Sequence, residues 1–135
     1  MKAIETALYT LLTADATLMA LVPGGVHNTL APKPAGAYLV FQKVSNVPVG
    51  YTYRLLEGES YLYQFRIIAK GYSKAGILDA LARVRTLLNL TTLTVTGRTV
   101  WRTTWESDMP DMVALDEDEV PLMQVGATYR IEMGA

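Results

Sequence analysis

The stretch Glu59–Asn89, ESYLYQFRIIAKGYSKAGILDALARVRTLLN, decides the fold. In its first half Tyr61, Tyr63, Phe65, Ile67 and Ala69 alternate with Ser60, Leu62, Gln64, Arg66 and Ile68. A period of two puts the first set on one face of a strand and leaves the second on a mixed, partly wet face. In its second half Ser73 can cap a helix whose buried stripe is Ile77, Leu78, Leu81, Val84 and Leu88. Asp79 is spaced to pair with Arg83 one turn later. A half-buried strand running into an amphipathic helix predicts a sheet with helices packed on one side.

Working outward, Ile4, Leu8, Leu11 and Leu12 form one helical stripe near the start. Asp15 can cap a short second helix carrying Leu18, Leu21 and Val22, which Pro23-Gly24-Gly25 ends. Val26–Pro34 reads as extended, Tyr38–Val44 as a strand, and Asn46–Gly58 as a protruding hairpin or loop. Towards the C-terminus, Leu93–Val95 and Thr99–Trp105 flank Thr96-Gly97-Arg98, a tight hairpin turn. Glu106–Val120 reads as an overlong loop, mobile until a partner orders it. Leu122–Glu132 alternates again, with Met123, Val125, Ala127, Tyr129 and Ile131 on one face. The expectation is α+β: a single domain over residues 1–135, mainly antiparallel sheet, helices on one face.

Half of the 135 residues are hydrophobic, enough for a core without staples. The absence of cysteine excludes disulfides, thiolate metal sites and thiol catalysis. Glu5, Thr6 and Asp15 interrupt the apolar N-terminal stretch, so it does not read as a signal peptide, and no apolar run approaches the ~20 residues of a membrane helix. The chain reads as soluble and made in the cytoplasm.

Chemistry is sparse. His27 is the only histidine, and it reads as an ordinary loop residue because no base–nucleophile partner or further metal ligand is signalled beside it. Asp116-Glu117-Asp118-Glu119 lacks the alternate spacing and central glycine of a calcium loop. No catalytic residue, metal or cofactor is therefore expected, and the chain does not read as an enzyme. Trp101 with Trp105 on one strand face, and Tyr61 with Tyr63 on another, interleaved with Arg66 and Arg102, leave open a stacking platform for single-stranded nucleic acid.

Charge is more informative. Residues 1–105 hold eleven Lys/Arg against five Asp/Glu, whereas residues 106–135 hold one Arg against eight acids. Such a molecule can pack head to tail with its own copies, closing into a ring. The candidate interface residues are Glu106, Asp108, Asp111, Asp116, Glu117, Asp118 and Glu119, with Tyr51, Tyr53 and Arg54 from the other protruding segment. Met109, Met112, Val113 and Leu115 add apolar contact area among the acids.

Three stretches, ALYTLLTADATLMALV, VHNTLAPKPAGAYLVFQKVSNVP and YQFRIIAKGYSKAGILDALARVRTLLN, together with the last strand, resemble the tail-completion or tail-terminator (tail-to-head joining) proteins of tailed bacteriophages. The resemblance spans nearly the whole chain. It implies a structural protein without enzyme activity, from a phage or prophage, that forms a hexameric ring at the head-proximal end of the tail tube. There it stops tube growth and meets the head–tail connector. DNA passes through the ring without sequence-specific binding. The partners implied are further copies of the chain, the tail tube protein and the connector. The location implied is the tail or neck of the virion, with the host cytoplasm during assembly.

Overall fold

A computed structural model describes residues 2–29, 36–52, 55–70, 75–89, 93–97, 99–115 and 121–134. Among them the order is α1 (Lys2–Thr13), α2 (Ala16–Leu21), β1 (Val26–Asn28), β2 (Tyr38–Thr52), β3 (Leu55–Lys70), α3 (Ala75–Leu88), β4 (Val100–Leu115) and β5 (Pro121–Gly134). The strands form one sheet in the order β1-β2-β3-β5-β4. Short β1 runs parallel to β2, and every other pairing is antiparallel. The fold is α+β.

The two alternating strands pair with each other, so their apolar faces coincide. Tyr61 lies opposite Ile131, Tyr63 opposite Tyr129, Phe65 opposite Ala127 and Ile67 opposite Val125. All eight are buried. Phe65 stacks on Phe41 of β2 at 5.8 Å and meets the Tyr129 ring edge-on at 5.4 Å. Ile4, Leu8 and Leu12 of α1, Leu18 of α2, and Ile77, Ala80, Val84 and Leu88 of α3 complete this core. Each of these larger side chains, Ala80 apart, contributes about 1.5–3 kcal/mol by leaving water.

Several expectations change. On α3, Ala80 lies in the buried stripe and Leu81 is partly buried, while Leu78 is exposed. Arg83 does not pair with Asp79. Its guanidinium reaches Asp15 through two hydrogen bonds, Nε to Oδ2 at 2.8 Å and NH2 to Oδ1 at 2.7 Å. A planar fork matches a carboxylate better than one turn of helix can arrange. Asp15 also caps α2 by accepting from the Leu18 amide at 2.8 Å, so one carboxylate ties α2 to α3. Its pKa falls to about 2, chiefly through the Arg83 hydrogen bonds. His27 is not in a loop: it sits in β1, part-buried, with Nε2 2.9 Å from the Gly24 carbonyl. Leu93 and Val95 are buried, but Val95 makes only an isolated bridge before the turn at Gly97 (φ 77°). Ser73 and Arg98 lie outside the described residues.

The largest correction concerns Glu106–Val120. Residues up to Leu115 belong to β4, a 16-residue strand hydrogen-bonded to β5 along its length. The acidic residues hid the strand because it is a sheet edge whose side chains from Glu106 to Ala114 are exposed or only partly buried, so its outward positions need no apolar alternation. Three register shifts, at Val100/Arg102, Trp105/Ser107 and Met109/Met112, break the period further. As a formed strand in the single chain, the segment to Leu115 does not wait for a partner to order it.

Candidate interaction surface

The pairing register places the two hairpin tips at opposite ends of the sheet. Gly58 faces Gly134 near the β2–β3 tip, whereas Lys70 faces Leu122 near the β4–β5 tip. The helices cover the middle. Beyond it, residues 106–114 contain no buried side chain, and Pro121–Gln124 opposite them are only partly buried. This exposed stretch of sheet edge, the β4 arm, stays within the sheet, because the β5 residues opposite it, Leu122–Thr128, pair on their other side with β3. Met112 (58% exposed) and Val113 (63%) lie near its end, the former opposite Gln124 and the latter opposite Met123. Successive residues point to opposite faces, so the arm is apolar on both sides.

The expected interface residues divide between the two ends and are not brought together. Glu106 is on the arm but engaged: Arg130 grips it with Nε–Oε2 at 2.7 Å and NH2–Oε1 at 3.2 Å, while its NH1 donates to buried Ser60 at 2.8 Å. Asp108 accepts from the Trp105 indole at 3.1 Å, and Asp111 lies exposed on β4. Tyr51 is in β2 opposite Leu56 at the far end. Tyr53, Arg54 and Asp116–Glu119 lie outside the described residues.

Several of the arginines are likewise engaged. Arg83 goes to Asp15, Arg130 to Glu106, and Arg102 to Glu132 at 3.1 Å. The hydrogen bonds it donates to Glu106 raise the Arg130 pKa and keep it charged. Arg85 lies 4.1 Å over the Trp105 ring. The aromatic platform is not assembled. Tyr61 and Tyr63 are buried beneath the helices, and burial pushes the Tyr63 hydroxyl pKa up. Trp101 and Trp105 do not share a face, because the bulge after Val100 turns Trp101 onto the open face, over Gly58 and Gly134. A Cβ on Gly58 would sit 2.5 Å from that ring, so the glycine is needed there.

Both free strand edges are blunted. On β4 the irregularities near Glu106 and Pro110 interrupt the ladder, and on β2 a bulge at Lys43/Ser45 and Pro48 do the same. Such edges resist adding a strand from another chain. Contact through side-chain faces is left.

Sequence reasoning missed a groove. Lys2, Ala3, Thr6, Ala7 and Leu11 of α1, with Leu93, line an open cavity of about 720 Å³. The signal was the run of small residues beside the leucine stripe of α1. A smaller cleft of about 470 Å³ lies between α3 and β4, where Arg85 and Asp108 flank the Tyr129 hydroxyl. Burial pushes that hydroxyl's pKa up to about 12. Among the described residues no group of three or more His, Asp and Glu is placed to hold a metal ion.

No curated protein matches the chain by sequence. Among solved structures, a chain in the virion of the native gene transfer agent particle superposes with a TM-score of 0.73 at 20% identity, over 96% of this chain and 93% of that one. The bacteriophage SPP1 gp17 protein superposes with a TM-score of 0.55 at 22% identity, over 94% of this chain and 88% of that one. These likenesses concern the fold. The family described as tail completion protein gp17 matches residues 6–116, most of the chain. With the sheet, the α1 lid and both hairpins inside or bordering that span, the chain belongs to the tail completion protein gp17 family, whose members are structural proteins of bacteriophage tails.

Proposed function

We infer that the chain acts as one tail-terminator-like domain over residues 1–135, forming a homo-oligomeric ring, a hexamer, at the head-proximal end of the tail tube. The ring ends tube growth and presents its other side to the head–tail connector, and DNA passes through without sequence-specific contacts. The observation that carries this reading is family membership together with two hairpin tips at opposite ends of one sheet. A protomer built this way offers different surfaces at its two ends, as a head-to-tail ring requires. The same construction suits a protein that meets a tube on one side and a connector on the other. Its role is mechanical, without catalysis or cofactor, in the neck of a phage or prophage particle after assembly in the host cytoplasm.

The test is removal of the gene from its phage or prophage, with the particles viewed by electron microscopy. The reading expects filled heads without tails and tails of uncontrolled length. Normal joined particles would overturn it. Size measurement by light scattering on the purified chain, across concentration and salt, checks the ring directly. Salt screens the attraction between acidic and basic surfaces over about 8 Å at physiological ionic strength, so association that falls with salt supports charge steering.

A further inference from the structure

We propose that the cleft between α3 and β4 takes a carboxylate side chain, an Asp or Glu of a neighbouring tail protein, with the Tyr129 hydroxyl and the Arg85 guanidinium as its donors. The inference rests on the reading that the chain works against other tail proteins, and it names the chemistry of one such contact. Leu78, Leu81, Arg85 and Asn89 of α3 line this cleft of about 470 Å³, with Asp108 of β4 and Tyr129 of β5. Tyr129 is fully buried, yet its hydroxyl has no hydrogen-bond partner among the described residues. A buried donor left unpaired is destabilising, so it marks a place where an acceptor belongs. Burial raises its pKa to about 12, which keeps the proton on the oxygen and the group a donor. Arg85 and Asp108 are the charges that act on this hydroxyl, Arg85 the more strongly, so it faces the cleft and its field there is positive.

The missing acceptor is an acid. Arg85 is exposed and makes no ion pair among the described residues; its guanidinium carbon lies 4.1 Å over the Trp105 ring. Two acceptors of the cleft already serve Trp105: Asn89 Oδ1 takes its amide at 3.0 Å and Asp108 Oδ1 its indole N–H at 3.1 Å. The surplus is therefore in donors, one of them cationic, and a carboxylate accepts from a hydroxyl and a guanidinium together. Size and polarity place that carboxylate on a protein. The cleft is far larger than one carboxyl group, and Leu78 (45% exposed) with partly buried Leu81 offers apolar surface that a bare anion leaves wet. A segment of another protein brings apolar atoms along with its acid, as interfaces do. Asp108 adds selectivity, because it repels an acid on its own side of the cleft and favours one placed against Arg85.

The probes are two capped peptides, acetyl-Leu-Glu-Leu-amide and acetyl-Leu-Gln-Leu-amide, titrated into the full chain. Binding is read by NMR at the Trp105 indole N–H, which lies between Asp108 and Arg85. The Glu peptide is expected to shift this signal saturably, and the Gln peptide to bind about fivefold more weakly. Arg85→Gln should remove that preference, and Asp108→Asn should tighten binding of the Glu peptide. Tyr129→Phe should weaken it while leaving the thermal midpoint equal or higher, because the hydroxyl removed has no partner in the free protomer. A lower midpoint with unchanged peptide binding would make the hydroxyl structural and overturn its role. Equal binding of the two peptides, or none, overturns the site and leaves the ring reading standing, which gene removal tests separately. Sodium acetate that shifts the indole as strongly as the Glu peptide overturns the protein source in favour of a free carboxylate. On particles, Arg85→Glu is expected to lower the yield of joined heads and tails about tenfold without lowering the protomer's thermal midpoint. Undiminished joining overturns the role of the cleft at the tail.

Discussion

Strand β5 has two neighbours, and they meet different fates. Against β3 it forms a ladder whose helix-side residues disappear beneath α1 and α3, from Val125 to Met133. Against β4 it begins under the same cover, with Thr103 fully buried and Trp105 partly so, and ends in an arm with no buried residue past Ser107. The backbone pairing is of one kind throughout. What differs is how closely the helix layer packs, since α3 leaves an open cleft over Asp108. The covered part supplies stability, and the arm, free of that duty, can carry surface chemistry. A tail protein that must fold alone and then join others needs both.

Phe65 tests the covered part most severely. Its ring is fully buried between Phe41 and Tyr129. Phe65→Ala should cost about 3–5 kcal/mol in chemical denaturation, with little room for the surrounding strands to collapse into the void. A loss below about 1 kcal/mol would mean that the covered part is not the stabilising one. Gly58→Ala probes the boundary. The added methyl would stand 2.5 Å from the Met133 carbonyl and from the Trp101 ring. A loss of about 1–3 kcal/mol is expected from this overpacking, and Trp101→Ala in the same chain should recover only the ring's part of it.

The boundary between the two parts explains what the sequence could reveal. Tyr61–Ala69 and Met123–Ile131 alternate because one face is under helices and the other is not, and that periodicity survives translation into a string of letters. The helix starting Asp15 was readable for a similar local reason, a cap three residues before the amide it serves. The partner of Arg83 was not, because Asp15 lies 68 positions away and only folding brings it near. The arm was read as a loop because an uncovered edge strand has no packing constraint to write into its residues. Bulges then shift the register so that Trp101 and Trp105, four apart, land on opposite faces. Of the expected interface residues, Asp108 and Asp111 fall on the arm. Glu106 is spent on Arg130, a pairing across strands that local spacing does not disclose.

Asp15 links stability to pH. Its carboxyl titrates at about 2 in the folded chain because Arg83 hydrogen bonds favour the charged form. The unfolded value is near 3.9. A depressed folded pKa stabilises above the unfolded value and is lost as pH falls through the folded one. The thermal midpoint of the native chain should therefore exceed that of Asp15→Asn at pH 6, with the gap narrowing between about pH 5 and 2. A gap independent of pH would show that the charge of the carboxylate does not carry the effect.

The smallest effect on stability is expected on the arm itself, and hydrogen exchange reads it. Amides of Ser107–Ala114 that bond to β5 are formed in the free chain, so they should exchange more slowly than an unstructured peptide. Their side chains are exposed or only partly buried, however, so opening them exposes little buried apolar surface. Local opening should therefore require much less free energy than opening Phe65 or Tyr129. Each tenfold difference in protection corresponds to about 1.4 kcal/mol of opening free energy, and several tenfold steps should separate Ala127–Ile131 from Met112–Ala114. On assembled tails the arm amides around Met112 should slow while those of Ala127–Ile131, already limited by global unfolding, change little. Equal protection of arm and core in the dilute protomer would erase the division drawn here, because the hairpin would then open only with the whole domain. Absence of any protection beyond Ser107 would return the segment to the partner-ordered loop that its acidic sequence suggests.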